Sequence, residues 1–211
     1  MNRKDGKPYK WGRFFGIGLS LLAAMLLSVS CATTKYGDKW HELNMMSDPI
    51  LDQVLLFYLG EAWAGMSDIN ECLETAARVN PKDAESWTRE WRKTAERLQG
   101  EGQRLLEQGH HYSAGEAYLR AATYYRAAMH RHMNPGSQEV LELTEREIEC
   151  FILAHRLLEE PMEVVSVPYE GIILTGYFYV SEKAEGPAPV LIVHQGRDAW
   201  AEDCRYLAKE A

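Results

Sequence analysis

The sequence predicts a mainly α N-terminal bundle followed by the first strands, a β hairpin plus one strand, of an incomplete α/β domain. Three observations carry that expectation. From Lys39 to Glu160, apolar residues recur at helical spacing between capping residues and Gly or Pro stops. After Pro161 the period shortens, and β-branched and aromatic residues dominate "MEVVSVPYEGIILTGYFYV". A last apolar run, Val190 to Val193, then leads into the polar loop "HQGRD" and into "AEDCRYLAKEA", which reads as the start of a helix.

The first residues stand apart from this pattern. Arg3, Lys4, Lys7, Lys10 and Arg13 face only Asp5, and the stretch Phe14 to Ser30 carries no charge before Cys31. A basic region, an apolar region and small residues before a cleavage point describe a secretory signal peptide over residues 1–30. The rival reading is a transmembrane helix, which needs ~17–25 apolar residues. Gly16, Gly18, Ser20, Ser28 and Ser30 dilute this run. "LLSVSC" resembles a bacterial lipobox, with Ser28 where Leu is usual. The resemblance implies cleavage behind Ser30, lipid attachment at Cys31 and a tether over residues 31–38. The protein would then be lipid-anchored in the bacterial cell envelope, at the outer membrane of a diderm because Ala32 follows the cysteine. A secreted or periplasmic protein is the alternative.

Without residues 1–30 the chain has 18 Lys and Arg against 30 Asp and Glu, a net charge of −12 where the whole chain has −8. An acidic domain has no basic stripe to neutralise phosphates, which excludes nucleic acid as a partner. Beyond Cys31 only Cys72, Cys150 and Cys204 remain. This odd, widely spaced set gives no metal signature and leaves open whether any bridge forms.

Within 39–160 each helix has its own start and stop signals. Ser47 or Asp48 caps the first, with Pro49 in its first turn. "SDINECLETAARV" follows, capped by Ser67. The third has Asn80 as cap and Pro81 at its first position, with Trp87 and Trp91 one turn apart and Gly100 and Gly102 weakening its middle. "SAGEAYLRAATYYRAAMHRH" is the fourth, closed by residues 134–136, and "SQEVLELTEREIECFILAHRLLEE" the fifth, stopping before Pro161. Trp87, Trp91, Tyr118 and Tyr125 fall on apolar stripes and belong between the helices.

Several chemical signals can be weighed against plainer readings. His110, His111, His130 and His132 invite a metal, but residues 111 and 130 on one helix stand about 28 Å apart at ~1.5 Å per residue. Solvated or capping histidines fit better. The acidic residues Glu145, Glu147 and Glu149, or Glu159 and Glu160, read as a solvated face. Gly109, Tyr112, Ala121, Tyr125 and Ala128 resemble one tetratricopeptide unit, and a solenoid needs about three. A non-enzymatic, TPR-like interaction lipoprotein is therefore the alternative function. No G-x-S-x-G nucleophile elbow occurs in the chain.

From Trp87 to Ala211 the chain resembles an α/β-hydrolase subfamily with a helical N-terminal domain. That group includes the 2,6-dihydroxypseudooxynicotine hydrolases and the fermentation–respiration switch proteins. The residues that carry the resemblance are the "AGEA" and "YY" runs within 114–125 and the hairpin from Val165 to Tyr177. Pro168, Glu170, Gly171, Leu174 and Gly176 all stand at the subfamily's positions in that hairpin. The resemblance implies that 39–160 is a cap-like domain and that 161–211 begins a truncated α/β-hydrolase domain.

It implies further that the loop after the third strand lines the oxyanion hole, with Gly196 and the backbone N–H of Arg197 as candidates. Gln195 departs from the pattern where a glycine is expected, and Ala199-Trp200 replace Ser-Thr. A second reading makes Asp198 the triad acid, and the loop's position directly after the hairpin argues against it. The subfamily places nucleophile, acid and histidine later in the chain. The expectation is thus the N-terminal portion of a cell-envelope serine hydrolase acting on small esters, amides or C–C bonds, inactive by itself. Its partners would be a small-molecule substrate in the intact parent and the membrane through a lipid anchor. It would need no cofactor and no metal. The oligomeric state has no signature in the sequence.

Overall fold

Asp48 starts the first helix, α1 (Pro49–Gly60), because its carboxylate accepts the N–H groups of Ile50 and Leu51 at 2.8 and 3.3 Å. The computed structural model describes residues 43–160, 162–181, 186–187, 189–196 and 199–210. The predicted signal peptide, tether and lipid site Cys31 lie outside the described residues. Residues 43–211 form one unit.

A 3₁₀ turn, Glu61–Ala64, follows α1 and ends at Gly65, whose φ of 71° suits glycine. The cap of α2 (Ile69–Arg78) is Asp68, which accepts from the Glu71 N–H. Ser67, expected in that role, instead donates its hydroxyl to the Tyr58 carbonyl at 2.5 Å. α3 (Ser86–Glu107) starts later than Asn80. Asn80 and Asp83 use their side chains on the N–H groups of Lys82 and Glu85, so residues 80–85 form turns instead of a first helical turn. α4 (His111–Met129) begins two residues ahead of Ser113, and Ser137 caps α5 (Gln138–Leu157) as expected.

α4 packs between α3 and α5 and is buried around its whole circumference from Ala114 to Met129, apart from Glu116 and Arg120. Alanines on every side let both neighbours approach closely. Trp87 and Trp91 are 2% and 0% exposed, and Tyr118 and Tyr125 are buried with them, as the stripe predicts. The Trp91 ring meets those of Tyr58, Trp87 and Tyr124, with centroids 5.2–5.4 Å apart. The Trp87 indole donates to the Ala127 carbonyl at 2.7 Å and Thr88 to Ala128 at 2.9 Å, which ties α3 to the end of α4.

The hairpin forms as expected. β1 (Met162–Tyr169) pairs antiparallel with β2 (Ile172–Tyr179), from Met162 opposite Tyr179 to Tyr169 opposite Ile172. Glu170 and Gly171 make the two-residue turn with φ of 47° and 85°, the left-handed pair that matches strand twist. Its base rests on the bundle, where Tyr177 meets Phe151 at 5.1 Å. Its tip, including Val167, Ile172 and Ile173, is exposed.

The segment expected as the third strand, 190–195, is left unpaired. Residues 189–196 have no regular structure, and Ile192 is 84% exposed. Among the described residues the only sheet is the pair β1-β2, so this segment has neither a ladder partner nor a face to bury. A 3₁₀ turn (Ala201–Cys204) and the short α6 (Arg205–Glu210) follow. Among the described residues no helix is long and apolar enough to cross a membrane.

Gly100 and Gly102 do not interrupt α3, and they differ in what surrounds them. A Cβ at Gly100 would meet nothing within 4 Å, whereas at Gly102 it would stand 3.0 Å from the Tyr118 ring. Gly100→Ala should stabilise the protein by roughly 0.5–1 kcal/mol through helix propensity. Gly102→Ala should forfeit that gain or destabilise, because the buried ring must move. Urea unfolding of both variants checks the pair; equal effects would contradict the close packing at Gly102.

Candidate functional site

The helix that is buried on every side carries one cation inside it. Arg126 is 1% exposed, and its guanidinium meets three carboxylates from three other elements. Nη2 lies 2.6 Å from Asp203 Oδ1 and 3.7 Å from Glu61 Oε2, while Nη1 lies 3.2 Å from Glu147 Oε1. Three carboxylates around one guanidinium leave excess negative charge in a dry place, and burial opposes it. Burial pushes Glu61 up to about 8 against the pull of Arg126, and the adjoining Asp203 charge adds to the rise. Burial likewise holds Glu147 well above the usual carboxylate range. The cluster therefore retains protons at neutral pH.

A second cation grips the same C-terminal segment. Arg205 Nη2 and Nε meet the Glu160 carboxylate at 2.5 and 3.0 Å, and Nη1 donates to the Ala64 carbonyl at 2.8 Å. Glu160 also stands 3.4 Å from Nε2 of His155. Nδ1 of His155 lies 2.9 Å from the Phe151 carbonyl, which can only accept, so that nitrogen carries the hydrogen. Nε2 then accepts from the Tyr179 hydroxyl at 2.9 Å. Burial lowers the His155 pKa, consistent with this neutral form.

From the strand side, the Tyr177 hydroxyl donates to Glu202 at 2.5 Å. Asp203 Oδ2 accepts the Trp200 N–H at 2.8 Å and closes the turn. The stretch from Trp200 to Arg205 is thus fixed to the bundle through Arg126, Glu160 and Ala64, and to β2 through Tyr177.

The sequence-predicted site residues lie just before this anchored stretch. Gly196 is exposed, with nothing within 4 Å of the place a Cβ would occupy. Arg197 and Asp198 lie outside the described residues. His132 pairs with Glu139 at 3.1 Å, His130 meets Tyr58 at 3.1 Å, and no group of metal-ligating side chains occurs among the described residues. Cys72, Cys150 and Cys204 are free thiols. Burial pushes Cys72 up to about 11 and Cys150 up to about 12, which removes both as thiolate nucleophiles at neutral pH.

The reading of Glu145, Glu147 and Glu149 as one solvated face is corrected here. Glu147 is 1% exposed while its two neighbours are exposed. Residues two apart on a helix point to opposite sides, so a run of alternating acids cannot share a face. A charged residue inside an alanine-rich, all-buried helix was the signal for the Arg126 cluster, and periodicity alone did not weigh it.

Comparison with known proteins finds relatives of this chain. The family described as Esterase FrsA-like matches residues 67–210, starting ahead of the Trp87 boundary inferred from motifs. The chain is 32% identical to the alpha/beta hydrolase xenA of Xenoacremonium sinensis over 75% of its own length and 38% of that protein. It is 33% identical to the hydrolyase poxO of Penicillium oxalicum over 71% of its length and 36% of that relative. It thus spans under two-fifths of either relative. A solved 2,6-dihydroxy-pseudo-oxynicotine hydrolase is similar to it at 22% identity and a TM-score of 0.47, over 62% of this chain and 34% of that one.

The raised carboxyls make stability depend on pH. A carboxyl whose native value exceeds its ordinary 4.5 favours folding below that value and loses the contribution as pH climbs through about 8. His155 acts oppositely at lower pH, with its contribution present above its ordinary 6.5 and withdrawn as pH falls. Stability should therefore decline from about pH 6.5 to 9. Glu61→Gln should flatten that decline in urea titrations at stepped pH. An unchanged slope in the variant would contradict a protonated Glu61.

Proposed function

This chain belongs to the Esterase FrsA-like family, and we propose that it is the N-terminal portion of a cell-envelope serine hydrolase of small esters, amides or C–C bonds. The observation that carries the reading is the match over 67–210, which takes in the hairpin and the anchored segment around Asp203. In this reading the bundle caps the substrate and the loop at Gly196 and Arg197 offers backbone N–H groups to the oxyanion. Such donors act by pointing at charge that develops in the transition state. The firm hold on Trp200–Arg205 supports a preorganised loop end. The chain spans under two-fifths of the relatives it matches, and this reading takes the nucleophile from the part of such a protein that the match does not cover. The chain alone then turns over nothing.

Incubation of the 211-residue protein with p-nitrophenyl acyl esters should release no more nitrophenol than buffer does. Turnover that disappears in Arg197→Pro would overturn the inactivity and keep the oxyanion role.

Attachment to the envelope rests on the basic and apolar N-terminal regions and on Cys31. Mass spectrometry of a bacterial membrane fraction should find a lipid-modified N-terminal Cys31. An intact Met1 or a soluble periplasmic form would refute the anchor.

A further inference from the structure

Beside Arg205, and separate from the Gly196 loop, a cleft of about 350 Å³ opens between the 3₁₀ turn, α4, the end of α5 and α6. Its size is that of a small-molecule site. Leu119 and Leu158 line it along with three aromatic rings, those of Trp63, Tyr112 and Tyr206. Trp63 and Tyr206 meet edge to face, centroids 5.9 Å apart and planes at 66°, and so form a corner. Trp63 and Tyr112 are each 65% exposed, so both aromatic surfaces are open to a ligand.

The charges in the cleft are unequal. Among the described residues its one cation is Arg205, which is 2% exposed and paired with Glu160. Glu116 sits one turn beyond Tyr112 on α4 and has no ion-pair partner among the described residues. Aromatic faces beside an unneutralised carboxylate attract a weakly hydrated organic cation, through ring quadrupoles and Coulomb attraction together. A neutral apolar ligand would use the rings but not Glu116, and an anion would meet the carboxylate as a repulsion.

We propose that this cleft binds a small organic ammonium group, with Trp63 and Tyr206 against the cation and Glu116 as its counter-charge. The site stands apart from the hydrolase reading, and neither depends on the other.

The test follows the Trp63 indole N–H resonance of the full chain during titration with choline chloride, against sodium chloride at equal ionic strength. The uncharged isostere 3,3-dimethyl-1-butanol is the shape control. Choline should move the resonance at millimolar concentration, and the isostere should bind roughly fivefold or more weakly. Glu116→Gln should weaken choline severalfold and leave the isostere unchanged. Tyr206→Ala should weaken choline as well. Phosphatidylcholine vesicles that move the resonance at far lower ammonium concentration would identify a lipid headgroup as the source, whereas a response to free choline alone would identify a soluble ligand. Equal binding of the isostere would reduce the cleft to an apolar pocket and overturn the proposal. So would a still resonance at tens of millimolar choline, or choline binding that survives Glu116→Gln undiminished.

Discussion

Burial of Arg126 sets terms that the rest of the chain has to meet. A guanidinium in the middle of a helix packed on all sides has no route to water and must find its partners inside. Glu61, Glu147 and Asp203 supply them from the turn after α1, from α5 and from the segment after the hairpin. The same arginine therefore closes the bundle and tethers the part of the chain that lies outside it. Removing any one carboxylate leaves the cation with fewer partners, and removing the cation leaves three acids facing one another.

Much that follows the bundle depends on that tether. Among the described residues the hairpin meets the bundle near its base, through Met162 on the core, Tyr177 on Phe151 and Tyr179 on His155. Residues 189–196 contribute no packing of their own. The chain returns to the bundle at Trp200, where charge holds Asp203 and Arg205 while Trp200 and Tyr206 meet the rings of His130 and Trp63. Function in the hydrolase reading uses this arrangement, since a loop can present backbone donors only when its ends are held.

The helices and hairpin were legible in the sequence because their signals are local. Capping residues, Trp87 and Trp91 on one face, and Glu170-Gly171 between two β-rich runs each act within a few residues. What was not legible depends on tertiary partners. Ser67 looked like a cap until the Tyr58 carbonyl claimed its hydroxyl. Val190 to Val193 read as a strand, but strand formation requires a neighbour that periodicity cannot supply. Glu147 looked like a surface charge because its partner Arg126 lies 21 residues away in sequence. Of the candidate site, Gly196 was placed and found exposed, while the groups that fix its surroundings went unseen for the same reason.

The most direct measurement is the unfolding free energy of Arg126→Met against the unaltered protein, by urea titration at pH 8 and again at pH 5. If the buried cation holds the bundle and the C-terminal segment together, the loss at pH 8 should be about 3–5 kcal/mol. At pH 5 it should be smaller, because Glu61 and Glu147 are then protonated and less repulsion is uncovered. A variant as stable as the unaltered protein at pH 8, or a loss independent of pH, would contradict the account.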